Sequence, residues 1–129
     1  MKKALFVIGL LLFCFSTFGC QTSSTSTPSP YAGNWTMTVA GDLTGSASSS
    51  INSAGNFSFS VVVTYTGGGS FTDVIAGTVD SSGRVTGNSY YGGVKTGTII
   101  GLIVMTAGSG TYTALPGYSG TGTWTITKI

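Results

Sequence analysis

Beyond residue 30 the apolar residues fall at every second position, and Ser, Thr and Gly take the places between them, as in "NWTMTV", "NFSFSVVV" and "GTWTITK". A period of two puts one face of an extended chain on a core and the other in water, so the pattern predicts strands. No window in this region repeats at the helical period, and its Gly and β-branched content works against helix.

Turn signals interrupt the alternation. "INSAGNFSF" at 51–59 aligns without gaps on "VDSSGRVTG" at 79–87, which places Asn52 or Asp80 at the first position of a type I turn and Gly55 or Gly83 at the fourth. Gly41-Asp42 suits a two-residue type II′ hairpin, 67–69 a longer loop, and Gly92 with Gly93 another two-residue loop, while 107–110 and 116–120 supply two more turns. Seven turns delimit eight strands.

Carrying the inward phase through these turns assigns Trp35, Met37 and Val39 to the inner face, then Leu43, Ala47 and Ile51, then Phe57, Phe59, Val61, Val63 and Tyr65. Phe71, Asp73, Ile75 and Val79 follow, then Val85, Ser89 and Tyr91, then Ile100, Leu102 and Val104, and last Tyr112, Trp124 and Ile126. Consecutive hairpins make a meander, and closing a meander removes its exposed edges. The expected fold is therefore all-β, an antiparallel up-and-down meander of about eight strands closing into a small β-barrel, with a β-sandwich as the alternative. A barrel of this size encloses a space that side chains fill or that holds one small ligand.

The start of the chain is of another kind. "MKKALFVIGLLLFCFSTF" sets Lys2 and Lys3 before an uncharged apolar run, the layout of a secretory signal peptide. The run is short of the roughly 20 apolar residues a membrane span needs. It ends at Gly19 and Cys20, a junction that resembles the lipobox of bacterial lipoproteins, with Thr17 where Leu is preferred and Phe18 larger than usual. The resemblance implies a leader of residues 1–19 cut before Cys20, a diacylglyceryl group on the Cys20 thiol, and usually a further acyl chain on the new amino terminus. With Cys14 gone in the leader, Cys20 would be the sole thiol of an exported protein, and lipidation gives that unpaired cysteine a role. Two or more acyl chains anchor stably, at about 0.8 kcal/mol per buried methylene.

Residues 20–30 then form the lipidated cysteine and a flexible tether, "QTSSTSTPSP", and residues 31–129 the folded domain. Gln21, not Asp, follows Cys20, which by the same resemblance favours the outer membrane in a Gram-negative cell. The expected location is the bacterial cell envelope, with the membrane reached through the lipid on Cys20. An ordinary secretory leader with type I cleavage is the alternative.

Charge and composition act by subtraction. From residue 31 onward the charged residues are Asp42, Asp73, Asp80, Arg84, Lys95 and Lys128, which cancel. Nothing concentrates positive charge for phosphate, so no nucleic-acid partner is expected. The chain has neither His nor Glu, which removes most routes to acid–base chemistry and to zinc. Glycoside hydrolysis needs two carboxylates, and the candidates reduce to Asp42 and Asp73, with Asp42 itself in a predicted turn. No enzyme, catalytic residue, metal or cofactor is expected.

"YAGNWT", residues 31–36, resembles the aromatic-x-Gly-x-Trp opening of the calycins, the group of lipocalins, intracellular fatty-acid-binding proteins and avidins. In lipocalins and their relatives the Trp closes one end of an up-and-down barrel, and in lipocalins a basic residue of the last strand packs over it. Carried onto this chain, the resemblance makes Trp35 the closing residue and Lys128 in "TWTITKI" its covering cation. The chain carries neither the Asn-Phe-Asp that precedes the motif in many lipocalins nor their later Thr-Asp-Tyr.

Asp73 is the one carboxylate assigned to the inner face, between Phe71 and Ile75. Unpaired burial is costly, so it is expected either to anchor a polar group of a ligand in the barrel mouth, with Tyr65 and Tyr91, or to lie near a solvated strand end. "IIGLIVM" is apolar on both faces, which leaves Ile99, Ile103 and Met105 outside a barrel as a contact patch or covered in a sandwich. Two functions follow. One is a lipid-anchored, non-catalytic binding module for a small apolar ligand or a protein partner; the other is a structural or interaction lipoprotein with a filled core, working through its outer face in an envelope assembly.

Overall fold

The computed structural model describes residues 27–129; the leader, the lipobox and Cys20, with most of the tether, lie outside the described residues. The strands are β1 (Gly33–Gly41), β2 (Leu43–Ile51), β3 (Asn56–Tyr65), β4 (Ser70–Val79), β5 (Arg84–Tyr91), β6 (Val94–Val104), β7 (Ala107–Ala114) and β8 (Thr121–Lys128). Each pairs antiparallel with its sequence neighbour and β8 returns to β1, so the eight strands close into a barrel and not a sandwich. Among the described residues there is no helix.

Alternation is the reason. Trp35, Met37, Val39, Phe57, Phe59, Val61, Val63, Trp124 and Ile126 are buried inside, and their neighbours in sequence are largely Ser and Thr facing water. Apolar-in and hydroxyl-out is the opposite of the arrangement that lipid-spanning barrels carry. Every strand has two neighbours, and the buried apolar residues among those described fall between Trp35 and Ile126, so residues 27–129 hold a closed barrel with its own core.

One end of the barrel is a floor tied by turns. Asn52 accepts the Gly55 N–H at 2.9 Å on its carbonyl and the Ala54 and Asn56 N–H groups on Oδ1. Asp80 repeats the pattern with Gly83, Ser82 and Arg84. Both glycines sit at positive φ, +84° and +89°, as a turn of this design requires. The carbonyls of Gly55, Gly83 and Thr106 then accept the N–H groups of Val79, Ile103 and Lys128, each at 2.8 Å, so each floor turn caps the end of another strand.

The structure departs from the sequence reading in three places. Between β1 and β2 there is no two-residue turn: the register centres on Asp42, and Gly41 pairs with Gly122 of β8 while Leu43 pairs with Tyr65 of β3. The strands splay at a bend there. The β6–β7 turn is at Met105 and Thr106, since Val104 pairs with Ala107, and Met105 takes φ +59°. The glycines read as a turn at 107–110 instead belong to β7. Gly101 and Gly110 face each other across the ladder because the Trp124 indole occupies the space; a Cβ on Gly110 would stand 2.6 Å from its Cζ2.

The third departure is the phase of β6. Ile99 and Ile103 point inward at 1% exposure each, whereas Ile100, Leu102 and Val104 point outward, so the inward assignment of those three and the outward assignment of Ile99 and Ile103 are both corrected. Met105 is exposed. A bulge is the cause: Ser89 pairs with Gly97 but Tyr90 with Lys95, leaving Thr96 as an extra residue. One inserted residue exchanges the two faces of everything that follows.

Candidate functional site at the barrel mouth

Opposite the floor, the barrel opens among the bend at Asp42, the 66–69 loop, Gly92 with Gly93, and the 115–120 loop. A cavity of about 540 Å³ descends from this mouth. Small-molecule pockets are typically about 300–1,000 Å³. Val39, Leu43, Val63, Ile75 and Ile99 give it aliphatic walls, and Tyr65, Phe71, Tyr91 and Tyr118 stand among its lining.

Three residues singled out from the sequence, Asp73, Tyr65 and Tyr91, line this one cavity. β4 begins at Ser70, so Asp73 lies within the ladder, paired with Val61, and not at a solvated strand end. It is 6% exposed, and its Oδ1 is buried with no hydrogen-bond partner. Burial raises its pKa to about 6, and the Val74 N–H offsets part of the rise. The aromatic rings form a chain above it: Tyr65 and Phe71 have centroids 5.4 Å apart, and Phe71 meets Tyr91 edge-on at 5.0 Å. Among the described residues no basic side chain lines the cavity.

Two features of the mouth were not legible in the sequence. Tyr112 was placed inward by alternation, but its partner, distant in sequence, was not: its hydroxyl accepts the Leu43 N–H at 3.0 Å and pins the splayed β1–β2 corner. Burial raises the Tyr112 pKa. Asp42, read as a turn former, accepts the Thr121 N–H at 3.0 Å on Oδ2, tying the same corner to β8. The other is the bulge itself, where Thr96 Oγ1 lies 3.2 Å from Ser89 Oγ and both side chains join the lining.

Trp35 and Lys128 are at the floor. Trp35 is fully buried, its Nε1 donates to the Tyr31 carbonyl at 2.8 Å, and Lys128 Nζ lies 5.8 Å from its ring centroid. Cys20 lies outside the described residues. Among the described residues no group of three or more His, Cys, Asp or Glu comes together.

Chemically, the mouth is a concave apolar chamber with one carboxylate whose buried oxygen has an unused lone pair. It can hold an apolar body and hydrogen-bond to one polar group. When compared with protein-family models, with curated proteins and with solved structures, the chain has no match.

Proposed function

We propose that this protein is a membrane-anchored lipoprotein of the bacterial surface or periplasm, held by lipid on Cys20, whose barrel is a non-catalytic binding module for a small, largely apolar ligand. The observation that carries the ligand-binding part is the cavity of about 540 Å³, open at one end, with Asp73 in its lining and the Oδ1 of that carboxylate without a partner. A stably folded barrel leaves a buried carboxylate oxygen unsatisfied only at a cost, and sites that bind ligands are where such a cost is retained. Native mass spectrometry of gently purified residues 27–129, before and after denaturing extraction, tests the reading. A mass excess lost on denaturation supports it; a bare mass, with no small apolar probe taken up, counts against it.

A second reading, an interaction lipoprotein working through its outer face, draws on one observation. Ile100, Leu102 and Val104 form an exposed apolar row along β6, flanked by Thr86, Arg84, Ser109 and Thr111. Self-association that is abolished by Leu102→Lys while the cavity stays empty would move the weight to this reading.

A further inference from the structure

We propose that the cavity is selective for a cation: a small amine with an apolar body, its ammonium group held by the Asp73 carboxylate beside the rings of Tyr65, Phe71 and Tyr91. This rests on the ligand-binding reading above and names the chemistry of the ligand.

Geometry carries it. Asp73 is nine-tenths buried on the inner face of β4, lines the cavity, and has Oδ1 without a partner. Val61 stands opposite it on β3, with Val63 and Tyr65 further up that strand, and the register of β4 on β5 brings Tyr91 beside it. The titratable groups facing this space are phenols: Tyr65 from β3, Tyr91 from β5, Tyr112 from β7 and Tyr118 from the 115–120 loop. Neither Lys95, paired with the outward Tyr90, nor Arg84, paired with the outward Leu102, lines it. The described residues therefore supply a negative charge and aromatic faces to one chamber and no positive charge to balance them.

Aromatic faces attract cations, and a carboxylate donates nothing once ionised, so its missing partner is a donor, best a charged one. An acidic ligand such as a fatty acid would bring a second carboxylate against Asp73 and be disfavoured. With a pKa near 6 the Asp73 carboxylate is mostly ionised at neutral pH and neutral in mild acid. A bound amine would be released on acidification.

The test uses octylamine, octanol and octanoate, which share a chain and differ in the head group, titrated calorimetrically into residues 27–129. Near neutral pH octylamine should bind about 10- to 100-fold more tightly than octanol, the weight of a hydrogen bond to a charged group, and octanoate weakest. Asp73→Asn should bring the amine level with the alcohol while alcohol binding persists, with near-ultraviolet circular dichroism confirming the fold. Tyr91→Leu should lower the amine preference about two- to fivefold. On the unaltered protein, acidification from about pH 8 to about pH 5 should cut the preference by up to about tenfold, because most of Asp73 protonates while the amine stays charged. Equal affinity for the three probes, or an amine preference that survives Asp73→Asn or is unmoved by acidification, overturns the cation assignment and leaves the ligand-binding reading standing. If no probe binds and the native mass is bare, both fall.

Discussion

Lys128 Nζ lies 5.8 Å from the centroid of the Trp35 ring, so the last strand covers the first with a side chain as well as pairing with it. The contact seals the floor where Gly33 leaves room: a Cβ there would stand 3.0 Å from Lys128 Cε. Beneath it, the Trp35 indole N–H is bound to the Tyr31 carbonyl, which ties the entering chain to the barrel it closes.

Truncating the two partners should therefore have unequal costs. Lys128→Met removes a cation–π contact and should lower unfolding free energy by about 0.5–1 kcal/mol. Trp35→Ala removes a fully buried side chain and should cost about 3–5 kcal/mol. Urea denaturation of residues 27–129 checks both.

Asp73 should make the protein less stable as pH rises. Its folded pKa of about 6 lies above the ordinary 3.8, so the folded state holds its proton more tightly. The contribution is fully present below the unfolded value and is lost as pH climbs through the window between the two. Asp73→Asn should flatten this slope and raise stability at neutral pH by roughly 1–3 kcal/mol. The variant would be more stable and, by the inference above, unable to prefer an amine. Thermal melts across that pH range report it; a variant no more stable than the parent at neutral pH would contradict the burial argument.

The phase of β6 separates two sets of apolar side chains that alternate along it. Ile103→Ala should cost about 2–5 kcal/mol, because Ile103 fills core. Leu102→Ala, next to it but half-exposed on the outer face, should change stability by no more than about 0.5 kcal/mol. The reverse order in denaturant midpoints would mean that the bulge at Thr96 is misplaced.

At the floor, Gly83→Ala forces a side chain into φ +89° and against the Ile103 carbonyl that the adjoining strand presents. The cost should exceed about 1 kcal/mol. Asp80→Asn at the same turn should be tolerated, since Asn52 makes the equivalent bonds in the sister turn.

Anchoring is tested at the other end of the chain. In cells, the parent protein should partition with membranes and into the detergent phase on Triton X-114 separation, whereas Cys20→Ser should appear in the aqueous phase. Equal partitioning of the two would remove the lipid anchor.

Strand number and most of the core follow from local pattern, whereas closure, with a sandwich as the alternative, was decided by the pairing of β8 with β1. Trp35, Met37 and Val39, or Phe57 through Val63, occupy alternate positions, and a period of two has a single reading when one face must be dry. The paired turns were equally legible, because Asn52 with Gly55 and Asp80 with Gly83 are completed by bonds within five residues. Asp73, Tyr65 and Tyr91 could be placed on the inner face for the same reason, though not in one chamber of a given size.

What the sequence by itself determined was the direction of each side chain wherever strands run unbroken, since that depends on neighbours along the chain. Tertiary structure decided what depends on neighbours across it. Thr96 is an ordinary strand residue until Ser89 pairs past it, and that slip turned Ile99 and Ile103 inward. Gly110 looks like a turn former until the Trp124 indole needs its space and that of Gly101 opposite it. Leu43 offers a free N–H to the Tyr112 hydroxyl only because the β1–β2 corner splays. Each is a contact between residues on different strands, and the cavity exists in the space those contacts leave.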